Sequence, residues 1–416
     1  MSATDTSPRR HSKGRLVPLL GPAFVAAVAY VDPGNVAANV TAGARYGYLL
    51  LWVLVLANVS AMIVQYLAAK LGIVTGKSLP QVLADRLPTP ARIAYWLQAE
   101  VVAAATDLAE VIGGALALHL LFGIPLLWGG IILGAVSIML LGVQSRKGQQ
   151  RFEFVIMALL LVITLGFLAG LVVAPPNWGN TAEGLVPRFA GSDSVLVAAS
   201  MLGATVMPHA VYLHSSLVND RHGKAAGLGH LSRVQLLRAT KVDVTWALTL
   251  AGLVNIGLLL LAASALQGVS GTDTIEGAHA AISHGLGSTV GVIFAVGLLA
   301  SGLASTSIGA YAGSEIMRGL LHIKMSLLAR RLITLTPALI ILAAGAEPTW
   351  ALVISQVVLS FGIPFAIIPL MALTRNKQLM GEFADTRKAR IAGDVVATLI
   401  VSLNLVLLWL TFTGRG

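Results

Sequence analysis

Cysteine is absent from this 416-residue chain, which excludes disulfides and thiolate metal sites. Charge is scarce too. Asp, Glu, Lys and Arg make up 11% of the residues, against about 25% in soluble domains. Over a chain this long, such a shortage means that most residues face something other than water. Hydrophobic residues fill the gap at 56%, with a mean hydropathy of +0.83. The apolar runs approach or exceed the ~20 residues that cross a ~30 Å hydrocarbon core. The 43 glycines suit closely packed membrane helices, where small residues let backbones approach. No soluble domain and no nucleophile–base motif of an enzyme is evident. The polar, basic start of the chain lacks a small-residue cleavage site before the first apolar run, so that run is expected to be a retained span.

The net charge of +10 would suggest nucleic acid in a soluble protein. Here it reads as topology, because Lys and Arg collect in cytoplasmic loops. Eleven helical spans are expected near 17–40, 48–72, 93–121, 125–143, 153–174, 194–218, 241–267, 285–313, 331–346, 349–373 and 391–412. With the N-terminus cytoplasmic, 25 of the 28 basic residues fall on one side, and only Arg45, Arg188 and Arg415 on the other. One misplaced span would reverse every later loop and destroy that partition. The C-terminus is then outside.

Two spans carry breaks. The first holds Asp32-Pro33-Gly34-Asn35 at its centre. Pro33 lacks an N–H and clashes with the preceding turn, Gly34 accepts almost any backbone conformation, and a mid-membrane Asp costs about 2.5–3.5 kcal/mol on insertion scales. The bland alternatives are a tolerated kink and a carboxylate paired with a base on another helix. The sixth span holds Met207-Pro208-His209 at its centre. The breaks lie five spans apart, so the spans that carry them run in opposite directions. Matching interruptions of this kind mark an inverted repeat with its binding site at the breaks. The expected fold is an all-α integral membrane protein. It has a cytoplasmic tail at 1–16, a first repeat over 17–174, an outer loop at 175–193, a second repeat over 194–373, and a loop with an eleventh span over 374–416. The discontinuous helices are spans 1 and 6.

The breaks offer a carboxylate (Asp32), an amide oxygen (Asn35), backbone carbonyls near Ala204 and a thioether (Met207). Oxygens alone suit Mg²⁺, Ca²⁺ or Na⁺, whereas a thioether favours softer transition metals. An isolated Met is usually a gap-filler; its place beside a mid-membrane proline is what raises Met207 above that. Two positions on in a helix, His209 would point about 200° away from Met207, toward a proton or water path. His214, two turns past Met207, lies roughly on its face. The third span carries Glu100, Asp107 and Glu110 on one helical stripe, either as folding charges or as a proton relay. Arg330 and Arg331 are their natural counter-charges. Gln356 in the tenth span either adds an oxygen ligand or bonds a neighbour. Gly362 and Pro364 suggest a flexible point there.

DPGN in the first span, ATVMPH in the sixth, ATDLAE in the third and SQVVLSFGIPFA in the tenth resemble the Nramp family of proton-coupled divalent metal transporters. The resemblance covers nearly the whole chain. It implies a fold of the amino-acid-transporter type. It also implies Mn²⁺ or Fe²⁺ bound by Asp32, Asn35, Met207 and the Ala204 carbonyl, with Gln356 joining in some states. The implied proton route runs through Asp107, Glu110 and His209, with Arg330 or Arg331 as partner. Some members have Asn after the MPH triplet, where this chain has Ala210. Relatives that carry Mg²⁺ lack the binding-site Met, which is present here. The short tails suggest import across a bacterial cytoplasmic membrane. No cofactor, nucleic acid or obligate protein partner is expected; metal ions are cargo, protons the coupling ion and lipid the surroundings. The competing expectation is a Na⁺-coupled transporter of amino acids or similar solutes on the same architecture. Half-helix ends can grip an organic carboxylate, but the charge of Asp32 opposes one.

Overall fold

The computed structural model describes residues 21–147, 149–222, 230–272 and 274–413. The expected tail at 1–16, the start of the first span, Lys224 and Arg415 lie outside them. All regular structure among the described residues is helical. In chain order the helices are α1 (Pro22–Val28), α2 (Pro33–Tyr46), α3 (Leu51–Thr75), α4 (Leu79–Ala84), α5 (Thr89–Phe122), α6 (Leu126–Lys147), α7 (Gln149–Val173), α8 (Trp178–Glu183) and α9 (Ser192–Thr205). They continue with α10 (Pro208–His222), α11 (His230–Ala265), α12 (Ile275–Leu286), α13 (Ser288–Leu321), α14 (Leu327–Ala343), α15 (Pro348–Arg375), α16 (Lys377–Met380) and α17 (Arg387–Phe412).

Each of the eleven expected stretches contains a long helix or a broken pair. Among the described residues, seven helices are long and apolar enough to cross a membrane, counting α9 and α10 as one. Three more apolar helical stretches are shorter. The boundaries differ from the hydropathy reading where polar residues continue a helix. α11 starts at His230 rather than 241, and α13 runs on to Leu321 rather than 313. Hydropathy registers only the apolar stretch, whereas a helix continues wherever its backbone bonds are satisfied. The short helix α12 was not expected. Thr274 caps its N-terminus by accepting from the Gly277 amide at 3.0 Å.

The packing of the two halves corresponds. α5 lies along α13, and α3 along α11. α1 and α2 pack on α11, as α9 and α10 pack on α3. α7 packs on α13, as α15 packs on α5. Small residues permit the central crossing: a Cβ on Gly302 would lie 2.8 Å from the Gly114 Cα. Lipid tails are as apolar as the helix surfaces, so no hydrophobic force draws spans together and such close contacts carry much of their association. α17 stands at the edge, against α15 and α9.

Candidate metal site at the helix breaks

The first break forms as its residues dictate. α1 ends at Val28, a single 3-10 turn covers Ala29–Val31, and Asp32 is extended (φ −69°, ψ 167°). Pro33 then opens α2 at its first position, where a missing N–H costs nothing. Asp32 is the N-cap: its Oδ1 accepts from the Asn35 amide at 2.9 Å and from Asn35 Nδ2 at 2.6 Å. The carbonyls freed by the break are taken up by neighbours. Tyr30 O accepts from Asn255 Nδ2 at 2.7 Å, and Val31 O accepts from the Ser301 hydroxyl.

The second break lies directly against the first. α9 ends at Thr205, and α10 restarts with Pro208 at its first position. Asn35 Nδ2 donates to the Ala204 carbonyl at 3.0 Å, and the Thr205 hydroxyl donates to Asn35 Oδ1 at 3.2 Å. Asp32, Asn35, Ala204, Met207 and His209 are all buried. Asp32 Oδ2 has no hydrogen-bond partner among the described residues. Gln356 of α15 reaches the same place, because a Cβ on Gly34 would lie 2.2 Å from its Nε2 and 3.1 Å from Asp32 Oδ2. The structure therefore brings Asp32, Asn35, Ala204 and Gln356 together, with Met207 in the two-residue link between α9 and α10. No cluster of three or more His, Asp and Glu side chains placed to hold a metal occurs among the described residues. The donors here are instead one carboxylate, two amides, a carbonyl and a thioether.

Two expectations change. Met207 precedes α10, so the helical angle separating it from His209 does not apply; an unwound link, not helix periodicity, sets their directions. α15 also runs through Gly362 and Pro364 without interruption. Gly362 serves close packing: a Cβ there would lie 2.7 Å from Val102 Cγ2 of α5.

The charged stripe on α5 divides into three roles. Glu100 pairs with Arg330 at 2.7 Å. Asp107 accepts from the guanidinium of Arg331, which is fully buried and also donates from Nε to Ser137 of α6 at 2.6 Å. Glu110 is buried, forms no ion pair among the described residues, and lies against Gly309 of α13. α5 also touches the first break itself, since a Cβ on Gly113 would lie 2.2 Å from Pro33 Cβ. His214 is buried and bonds Gln65 through Nδ1 at 2.8 Å, and Gln65 Nε2 donates to the Tyr30 hydroxyl at 2.7 Å. Sequence reasoning missed Gln65, Tyr30, Asn255, Ser137 and Asp243. The available signal was a polar side chain inside an apolar run. Asp243 of α11 accepts from the amides of Gly21 and Ala23 at 3.0–3.2 Å, capping α1.

Residues 23–410 match the family described as Natural resistance-associated macrophage protein-like. The divalent metal cation transporter MntH of Mycobacterium tuberculosis is 58% identical over 396 residues, covering 95% of this chain and 92% of its own length. The MntH of Deinococcus radiodurans is 43% identical, covering 95% and 90%. A crystal structure of the Eremococcus coleocola manganese transporter superposes with a TM-score of 0.87 at 30% identity, over 97% of this chain and 88% of its own. Mhp1, a nucleobase-cation-symport-1 family transporter, shares the fold alone, with a TM-score of 0.61 at 14% identity.

Proposed function

The chain belongs to the Nramp family, and from that premise we propose that it imports Mn²⁺, and also Fe²⁺, by symport with protons. It is a multi-pass membrane transporter. The proposed setting is a bacterial cytoplasmic membrane, with eleven crossings in two inverted five-span halves and the N-terminus inside. The observation that carries the metal assignment is the contact between the two breaks. It sets a buried, half-unpartnered Asp32 carboxylate beside the Asn35 amide, the Ala204 carbonyl and Gln356. A buried negative oxygen that lacks a hydrogen-bond partner is stabilised by a cation.

Asn35 and Ala204 spend part of their bonding capacity on each other here. Asn35 Oδ1 and the Ala204 carbonyl each keep a lone pair beyond the bonds they accept here, so both oxygens can turn to a metal while the Asn35 Nδ2 bond holds the two breaks together. Met207 supplies the soft donor that favours transition metals over Ca²⁺ and Mg²⁺. Protons are proposed to leave the site along α5. Glu110 accepts first because the Arg331 guanidinium contacts Asp107 rather than Glu110, and the Asp107–Arg331 pair lies one turn further along. His209, buried in the α10 half of the second break, is the other proposed proton carrier. The solute-transporter alternative is set aside by family membership.

The test is Mn²⁺ uptake into proteoliposomes with and without an inward proton gradient. The parent should take up Mn²⁺ faster with the gradient, and Asp32→Ala should abolish uptake. Undiminished transport by Asp32→Ala would remove the metal site proposed here.

A further inference from the structure

A cavity lies at the end of α2 opposite to the first break. Its volume is about 440 Å³, and its polar lining includes Arg45, Tyr48, Asn180, Arg188 and Gln267. Arg45 and Arg188 are two of the three basic residues that the charge pattern sets apart from the other 25. Their convergence on one cavity singles the place out.

The walls of the cavity are tied together. The Tyr48 hydroxyl accepts from the Asn177 amide at 3.0 Å, which leaves its proton directed elsewhere. Trp52 donates from its backbone to Gly184 O at 3.0 Å and from its indole to Arg188 O at 3.3 Å. Its ring meets Phe189 edge-on at 5.4 Å. Gly47 turns the chain at φ 59°, and a Cβ there would lie 2.9 Å from Gln267 Nε2. The frame presents two guanidinium groups, a phenol and two amides, a donor set that fits the oxygens of a phosphate. Glu183 opposes it. However, its contact with Arg188 is 3.7 Å long between side chains that are 52% and 69% exposed, and a pair that open is weak.

The segment that contributes Asn180, Glu183, Arg188 and Ala190 to the lining adds a second feature. Trp178, Leu185, Val186 and Phe189 are exposed. In a membrane protein, exposed aromatic residues beside cations sit at headgroup level. An anionic head against arginines, with apolar tails against Trp178 and Val186, satisfies both features at once.

We infer that this cavity is a phosphate-binding site, and that its occupant is the headgroup of an anionic phospholipid. Arg45 stands on α2 and Arg188 on the loop before α9, so the occupant bridges the half-helix that carries Asp32 and that loop.

The experiment uses the full-length protein in detergent, exposed to phosphatidylglycerol or to phosphatidylcholine and analysed by native mass spectrometry. The parent should retain phosphatidylglycerol preferentially. Retention should fall about ten-fold in Arg45→Gln/Arg188→Gln and remain intermediate in Arg45→Lys/Arg188→Lys, which keeps the charge but loses the planar fork. Trp178→Ser should weaken lipid retention alone. A second arm adds inorganic phosphate and follows the unfolding temperature. If phosphate stabilises the parent but not the Gln variant, and no lipid preference exists, the phosphate site stands and its lipid source is overturned. If the Gln variant retains lipid and responds to phosphate as the parent does, or if the parent shows neither effect, the site itself is overturned. Size-exclusion profiles and Mn²⁺ uptake check that the variants are folded.

Discussion

Gly34→Ala is the sharpest probe of the first break. A Cβ at this position would sit 2.2 Å from Gln356 Nε2, 3.1 Å from Gln356 Cδ and 3.1 Å from Asp32 Oδ2. The first distance is well inside van der Waals contact, so something must move. What yields is the Gln356 side chain, since Asp32 is held by two bonds from Asn35. Overpacking of a filled site costs about 1–3 kcal/mol. If the cost falls on the metal-bound state, the Kd for Mn²⁺ rises about 5- to 150-fold. Calorimetric Mn²⁺ titration of the detergent-purified protein measures this, and uptake kinetics give the matching change in KM. The decisive comparison is a double-mutant cycle with Gln356→Ala. Removing Gln356 removes the atom that the new methyl strikes, so Gly34→Ala/Gln356→Ala should bind no worse than Gln356→Ala alone. If Gly34→Ala adds its full penalty on the Gln356→Ala background, the clash is with something else, and the placement of Gln356 over the break is refuted.

Other expectations follow from the same geometry. Met207→Ala should narrow the selectivity for Mn²⁺ over Ca²⁺ and Mg²⁺ in competition uptake, because it leaves only hard oxygen donors; unchanged selectivity would remove the thioether argument. Arg331→Ala should destabilise the protein by about 3–5 kcal/mol, read as a lowered unfolding temperature, because it strands the buried Asp107 carboxylate. Adding Asp107→Asn to it should recover much of that loss. Asp243→Ala should remove the cap on α1, worth about 0.5–2 kcal/mol, and so loosen that helix end several-fold. With no native cysteine in the chain, a single cysteine at Ala23 reports the loosening as faster thiol labelling, and an unchanged rate would count against the cap.

The breaks were legible because their signal is local. Asp32-Pro33-Gly34 and Met207-Pro208 each place a helix-breaking residue at mid-span beside possible ligands, and both interruptions fall at these residues. The acidic stripe on α5 was legible for the same reason, since periodicity alone places Glu100, Asp107 and Glu110 near one face. Which arginine meets which acid was not legible. Arg330 and Arg331 are adjacent in sequence, but successive helical residues diverge by about 100°. One guanidinium therefore reaches Glu100 beside Gly313 of α13, and the other reaches Asp107 and Ser137, both arginines being buried. Helix geometry does not give the direction of His209 relative to Met207, because Met207 lies in the unwound link between α9 and α10.

The sequence alone determined the solvent, the helical character and the chemical identity of the donors at each break. These follow from composition and from runs of a few residues. Only the tertiary structure decided how those donors meet. It set the Asn35 amide on the Ala204 carbonyl 169 positions away, laid Gln356 over Gly34, and left one Asp32 oxygen without a partner among the described residues. The reason is physical. A break is a property of its own backbone, whereas the burial and pairing of a carboxylate depend on which distant helices pack around it.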